Sequence, residues 1–193
     1  MDLRILLITA ASFFVAQQST VHAQSFEVGD NVAAFSVGLG GNYGASSAYT
    51  SQTPALGLSF ERGIMDLGPG VLGIGAYVGY KSLAYSFAGP GFEYDWSWRY
   101  TIVGIRGNWH YNEWHGISEL DVYGGLLLSY NSVKWTDSTR YPSGFIITPS
   151  GASSGVGLSA LVGGRYYFTE SLAAQLELGY GISYGSLGLA LKF

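Results

Sequence analysis

From residue 31 onward, large apolar side chains recur at every second position, which is the period of a β-strand. The last segment is the cleanest: Leu187, Leu189, Leu191 and Phe193 share one face, while Ser186, Gly188, Ala190 and Lys192 share the other. The segment before it repeats the division, with Ala174, Leu176, Leu178 and Tyr180 opposite Ala173, Gln175, Glu177 and Gly179. Near the start, Phe35, Val37 and Leu39 oppose Ala34, Ser36 and Gly38. Eight such segments can be marked, at roughly 31–43, 54–62, 70–84, 97–111, 119–134, 155–168, 172–181 and 185–193. No stretch carries a helical period, and the abundance of Gly, Tyr, Val and Thr disfavours helix. The chain is all-β.

A greasy face and a small or polar face leave two solutions. A soluble lipocalin-like barrel turns the greasy face inward, and a membrane barrel turns it outward. Charge decides between them. Only 11% of the residues are charged, against about 25% in ordinary soluble domains. By parity the polar face holds Glu61, Lys81, Arg106, Asp121, Arg165, Glu177 and Lys192, too few groups to solvate an outer wall. They suit an interior, where opposite charges must pair because an unpaired buried charge is heavily penalised. The expected fold is a closed antiparallel up-and-down transmembrane β-barrel of eight strands. A soluble ligand-carrying barrel remains the alternative of the other class.

Connections agree with the membrane solution. Links at about 43–53, 85–96 and 135–154 are long and rich in Ser, Thr, Gly, Pro and charge, whereas those at 63–69, 112–118 and 169–171 are shorter. Such alternation matches long external loops and short periplasmic turns, and an even strand number returns both termini to the periplasm. Aromatic residues gather at segment ends, as interfacial girdles require. Trp109, Tyr111, Tyr166, Phe168 and Phe193 are assigned to one rim; Tyr43, Tyr80, Tyr85, Trp96, Trp98, Tyr130, Trp135 and Tyr180 to the other.

Residues 1–23 read as a secretory signal peptide, with Arg4, an apolar run from Ile5 to Val15, and Val21-His22-Ala23 before cleavage at Gln24. The barrel domain is then 24–193. A net charge of −4 and a pI near 5.2 offer no basic patch for nucleic acid. With no Cys, disulfides and thiolate metal sites are excluded.

Taken with the signal peptide, the Gly-aromatic strands and the tail Leu187-Gly188-Leu189-Ala190-Leu191-Lys192-Phe193, the chain resembles the small eight-stranded outer-membrane barrels of the OmpA/OmpX type from Gram-negative bacteria. The resemblance implies outer-membrane lipid as the surroundings. It also implies recognition of Leu189, Leu191 and Phe193 by the barrel-assembly machinery during insertion.

Three strings evoke catalysis or cofactors and fail on context. Gly68-Pro69-Gly70-Val71-Leu72-Gly73 matches a dinucleotide fingerprint but leads into a strand rather than a helix. Gly151-Ala152-Ser153-Ser154-Gly155 likewise precedes a strand, unlike a nucleophile elbow. His110, Glu113 and His115 lack the helical spacing of a zinc protease motif; His110 closes the 97–111 segment on the inward, polar face with Arg106 and Asn108, and Glu113 and His115 read as the periplasmic turn after it. No enzyme activity, cofactor or metal is therefore expected. Eight strands leave an interior just wide enough for side chains; Tyr77, Tyr123, Tyr167, Arg106 and Arg165 fill it, and inward Gly73, Gly75 and Gly79 make room. A filled lumen with a structural or surface-interaction role is expected, and a small pore is the competing role. The link 135–154, with Lys134 beside it and Trp135, Asp137, Arg140 and Tyr141 within it, is the candidate contact surface.

Overall fold

The computed structural model describes residues 26–41, 50–90, 92–139 and 153–193. The signal peptide, Tyr43, Arg140 and Tyr141 lie outside them. Among the described residues nine strands run in chain order: β1 (Asn31–Leu39), β2 (Ser51–Gln52), β3 (Ala55–Leu67), β4 (Gly70–Gly89), β5 (Phe92–His110), β6 (Leu120–Asp137), β7 (Gly155–Tyr167), β8 (Leu172–Tyr180) and β9 (Gly185–Lys192). β2 pairs with the same strand as β3, so the two form one interrupted stave. Every pairing is antiparallel between neighbours, and β1 joins β9 from Val32↔Lys192 to Leu39↔Gly185. That seam closes an eight-stave barrel and leaves no sheet edge around its circumference.

The period seen in the sequence maps onto the two sides of the wall. Ala34 and Ser36 are buried inside, while Ile105, Leu158 and Leu187 are 64%, 66% and 67% exposed on the outside. Side chains of this kind form a band around the outer wall, an apolar surface far beyond what a soluble monomer tolerates. In hydrocarbon the same surface is at home, and closure satisfies every ladder bond without water. This is a transmembrane β-barrel.

At the end where β1 begins and β9 finishes, the terminal end, the β3–β4 and β7–β8 connections are tight, at two and four residues, while the β5–β6 link spans 111–119. Gly68 adopts a left-handed φ of 61° and, with Pro69, closes the two-residue link between Leu67 and Gly70. At the other end the structure corrects the sequence reading. The link placed at 85–96 is almost entirely strand, because β4 and β5 stay paired from Val71↔His110 to Gly89↔Phe92. β4, β5 and β6 have 20, 19 and 18 residues, roughly twice the 9–11 that cross a bilayer. Their upper halves form a blade standing beyond the apolar band. β8 and β9, with 9 and 8 residues, stop near its edge.

Aromatic placement changes accordingly. Tyr80, Tyr130 and Tyr180 are exposed on the outer wall near the blade end, as are Trp109, Tyr166, Phe168 and Phe193 near the terminal end. Tyr85, Trp96, Trp98 and Trp135 do not belong to a lipid-facing girdle. Trp98 is buried, with Tyr85 and Trp96 packed against its cluster. Trp135 is its cross-strand partner on the same inner face of the blade.

Candidate functional site

The strongest concentration of chemistry lies inside the barrel, toward the terminal end. β3 contributes Glu61, β5 Asn108 and His110, β6 Asp121, β7 Arg165 and β8 Gln175, all nearly or fully buried. Arg165 is the hub. Its Nη2 donates to Glu61 Oε2 at 2.7 Å, its Nη1 to Asp121 Oδ2 at 3.3 Å, and its Nε to Gln175 Oε1 at 3.0 Å. His110 links the same two acids from the other side, with Nδ1 2.7 Å from Asp121 Oδ1 and Nε2 2.9 Å from Glu61 Oε1. With both acids ionised their oxygens only accept, which places a proton on each ring nitrogen. Two carboxylates thus face one guanidinium and one imidazolium, and the buried charge balances. Asn108 and Asn112 donate the remaining bonds, to Glu61 Oε1 at 2.8 Å and Asp121 Oδ1 at 3.1 Å.

Phe26 covers this cluster from the terminal side. Its ring stacks on His110 at 3.9 Å between centroids and packs with Val32, Ala34, Tyr167, Ala173 and Ala190. Beyond it, an open cleft of about 530 Å³ is bounded by Glu27, Asp66, Pro69, Glu113 and Ile117.

Toward the blade, Tyr123 separates the hub from a second ion pair. The Arg165 guanidinium lies 4.5 Å from its ring centroid, a cation–π contact. The Tyr123 hydroxyl donates to Glu177 Oε1 at 2.8 Å, the atom that also accepts from Arg106 Nη2 at 2.7 Å. Above this pair a cavity of about 50 Å³ is lined by Ser36, Tyr77, Ser159 and Ser186, room for one or two waters at about 30 Å³ each. Ala55, Leu83, Trp98, Tyr100, Ile102, Leu127 and Ile182 then close the interior with apolar side chains.

Glycines across the ladder make these large side chains possible. Tyr123 faces Gly163, where a Cβ would fall 2.6 Å from the ring Cζ. Because Arg165 and Glu177 hold the ring from both sides, it has little freedom to retreat. Gly163→Val is expected to destabilise the barrel by about 1–3 kcal/mol, the usual range for overpacking, measurable as a lower urea midpoint in lipid vesicles.

Of the seven charged residues that parity placed inside, Glu61, Arg106, Asp121, Arg165 and Glu177 come together. Lys81 and Lys192 do not join them, because parity sets the face and not the height. Lys81 sits at the blade end and donates to the Gly40 carbonyl at 3.1 Å. Lys192 sits at the terminal rim, 3.6 Å from Asp30 and over the Tyr167 ring. His110 is the central residue of the hub; parity places it inward beside Arg106 and Asn108 in the 97–111 segment, as the structure has it, but a count of acids, lysines and arginines alone leaves it out of the interior network. His115 accepts the Ile117 amide within the link, so the two imidazoles serve different structures. Phe26 precedes the first strand and has no periodic signal at all. Leu189, Leu191 and Phe193 lie exposed on the outer wall, and the Phe193 backbone exchanges hydrogen bonds with Asn31 across the seam.

No protein-family model and no curated protein matches this sequence. Solved structures do. The chain is similar to the outer membrane protein OprG from Pseudomonas aeruginosa, at 12% identity and TM-score 0.56, over 88% of this chain and 98% of that one. It is also similar to Ail, the attachment invasion locus protein of Yersinia pestis (12% identity, TM-score 0.46, 86% and 99% covered). A third is the N-terminal β-barrel domain of Pseudomonas aeruginosa OprF (15% identity, TM-score 0.42, 86% and 98% covered). At such identities the likeness, carried by OprG, is one of fold: a closed eight-stranded β-barrel.

Proposed function

We propose that this eight-stranded barrel is an integral outer-membrane protein with a sealed interior, acting through the blade and loops opposite the termini in a structural or surface-interaction role. One observation carries the reading. From Phe26 through the Arg165 hub, Tyr123 and the Arg106–Glu177 pair to the apolar tier, bonded or packed side chains occupy successive levels of the lumen. A conducting barrel needs a continuous aqueous path, and the cavity of about 50 Å³ between these levels is too small to supply one. His110, whose two nitrogens are engaged by buried carboxylates, is in no position to serve as a general base toward lipid outside the wall.

In this orientation the termini and tight links face the periplasm and the blade faces outward. The exposed Phe193 ring on a backbone already zipped to β1 suits recognition by the barrel-assembly machinery, and Leu189 and Leu191 extend the same outward row. The inner face of the blade carries Tyr85, Trp96, Trp98 and Trp135.

Planar-bilayer recording tests the sealed interior against the small pore. The purified barrel is expected to be silent, and Phe26→Ala is expected to stay silent because the ion pairs still block the path. Steady conductance that changes on Arg106→Ala or Glu177→Ala would establish the pore instead. Fractionation with heat-modifiable gel migration tests the location: a freely soluble protein without a mobility shift would overturn the membrane assignment.

A further inference from the structure

Three cations stand on the outer side of the wall among the described residues: Arg62, Arg99 and Lys134. Two of them are neighbours. Arg99 on β5 and Lys134 on β6 are direct cross-strand partners, and both are exposed. Neither makes an ion pair or a side-chain hydrogen bond among the described residues. Like charges directly opposite one another weaken a strand pair, so this placement is unfavourable unless something negative sits against it.

Register fixes the height of the pair. Val78, Val103 and Tyr130 form one outward row of the apolar band, and Tyr80, Thr101 and Ser132 the next. Ser82, Arg99 and Lys134 form the row immediately above. The two cations therefore lie one step past the interfacial tyrosines, where a bilayer presents its phosphates. The acids on the same face are farther out. Asp95 and Glu93 precede Arg99 by four and six residues along β5, or roughly 13 and 20 Å at about 3.3 Å per residue, beyond the Debye length of about 8 Å at physiological salt. Arg62, by contrast, sits at the terminal end and donates to Asn31 Oδ1 at 3.1 Å.

We propose that Arg99 and Lys134 form a binding site for the phosphate of an anionic membrane lipid, held against the outer wall at the blade end. The guanidinium supplies a planar fork suited to a phosphate and the ammonium a point charge. Ser82 in the same row, and Ser97 and Thr136 in the row above, add hydroxyls near the headgroup. The inference rests on the membrane reading and not on the sealed lumen, so conductance of the barrel would leave it standing.

The test uses the full barrel reconstituted in phosphatidylcholine containing a minor fraction of phosphatidylglycerol, released in mild detergent and weighed with its retained lipids by native mass spectrometry. Phosphatidylglycerol is expected to be enriched on the protein. At about fivefold per basic side chain near an anionic surface, the double variant Arg99→Gln/Lys134→Gln is expected to lose about twenty-five-fold of that enrichment. Arg62→Gln is expected to retain it, as is the charge-preserving exchange Arg99→Lys/Lys134→Arg to within severalfold. Unchanged gel heat-modifiability identifies folded variants, and loss of enrichment in the unaltered protein at high salt gives the same answer without any substitution. Equal enrichment in the unaltered and double-variant proteins would overturn the proposal. So would displacement of the lipid by inorganic phosphate at modest concentration, which would assign the site to a free anion.

Discussion

Arg165→Met is expected to lower barrel stability by about 3–5 kcal/mol, the range for removing one partner of a buried ion pair. The side chain it removes is nearly fully buried and serves both Glu61 and Asp121. Without it, His110 is left as the only cation between two carboxylates, and a net negative charge remains in a low-dielectric interior. Arg165→Lys is expected to recover only part of the loss, since an ammonium cannot reach Glu61, Asp121 and Gln175 with one planar fork. Adding Glu61→Gln to Arg165→Met removes the surplus charge, so the double variant should be more stable than Arg165→Met alone. Urea unfolding in lipid vesicles, followed by tryptophan fluorescence, reads all three. If Arg165→Met unfolds at the same urea concentration as the unaltered barrel, the hub is not a source of stability and the sealed-interior reading loses its main support.

The difference between parity and position explains how much of this was legible beforehand. Period 2 separates the two faces of a strand regardless of tertiary context, so the outward row Leu187, Leu189, Leu191 and the all-β barrel could be read directly. The partner of an interior charge could not. Glu61 and Arg165 are 104 residues apart, and their meeting depends on strand register, stagger and closure, none of which alternation encodes. Lys81 and Lys192 show the same limit, with the parity of the cluster and the wrong height for it. The misread segment 85–96 has a different cause. Its outward positions Ser86, Glu93, Asp95 and Ser97 are polar, which resembles a loop, yet Tyr85, Phe87, Tyr94, Trp96 and Trp98 keep the period on the inner face. Composition changed there because water replaces lipid outside the wall, not because the strand ended.

That solvent change gives the sharpest test of the inside-out arrangement, through Leu126→Arg. Leu126 lies on the outer wall of β6, 55% exposed, between Leu120 near one rim and Tyr130 near the other. A cation at the middle of the hydrocarbon is expected to cost about 2–4 kcal/mol, falling to about 0–1 near the interface. Ser132→Arg, on the same face but level with the interfacial Tyr80, should therefore leave the urea midpoint nearly unchanged. A water-filled surround makes the opposite forecast. If the outer wall faced solvent, arginine at position 126 would interrupt an exposed apolar patch, improve solubility and change stability by less than about 0.5 kcal/mol, as surface substitutions usually do. The graded response, large at Leu126 and small at Ser132, follows only from a wall whose depth is measured in hydrocarbon. A flat response at both positions would return the chain to the soluble, ligand-carrying class of barrel.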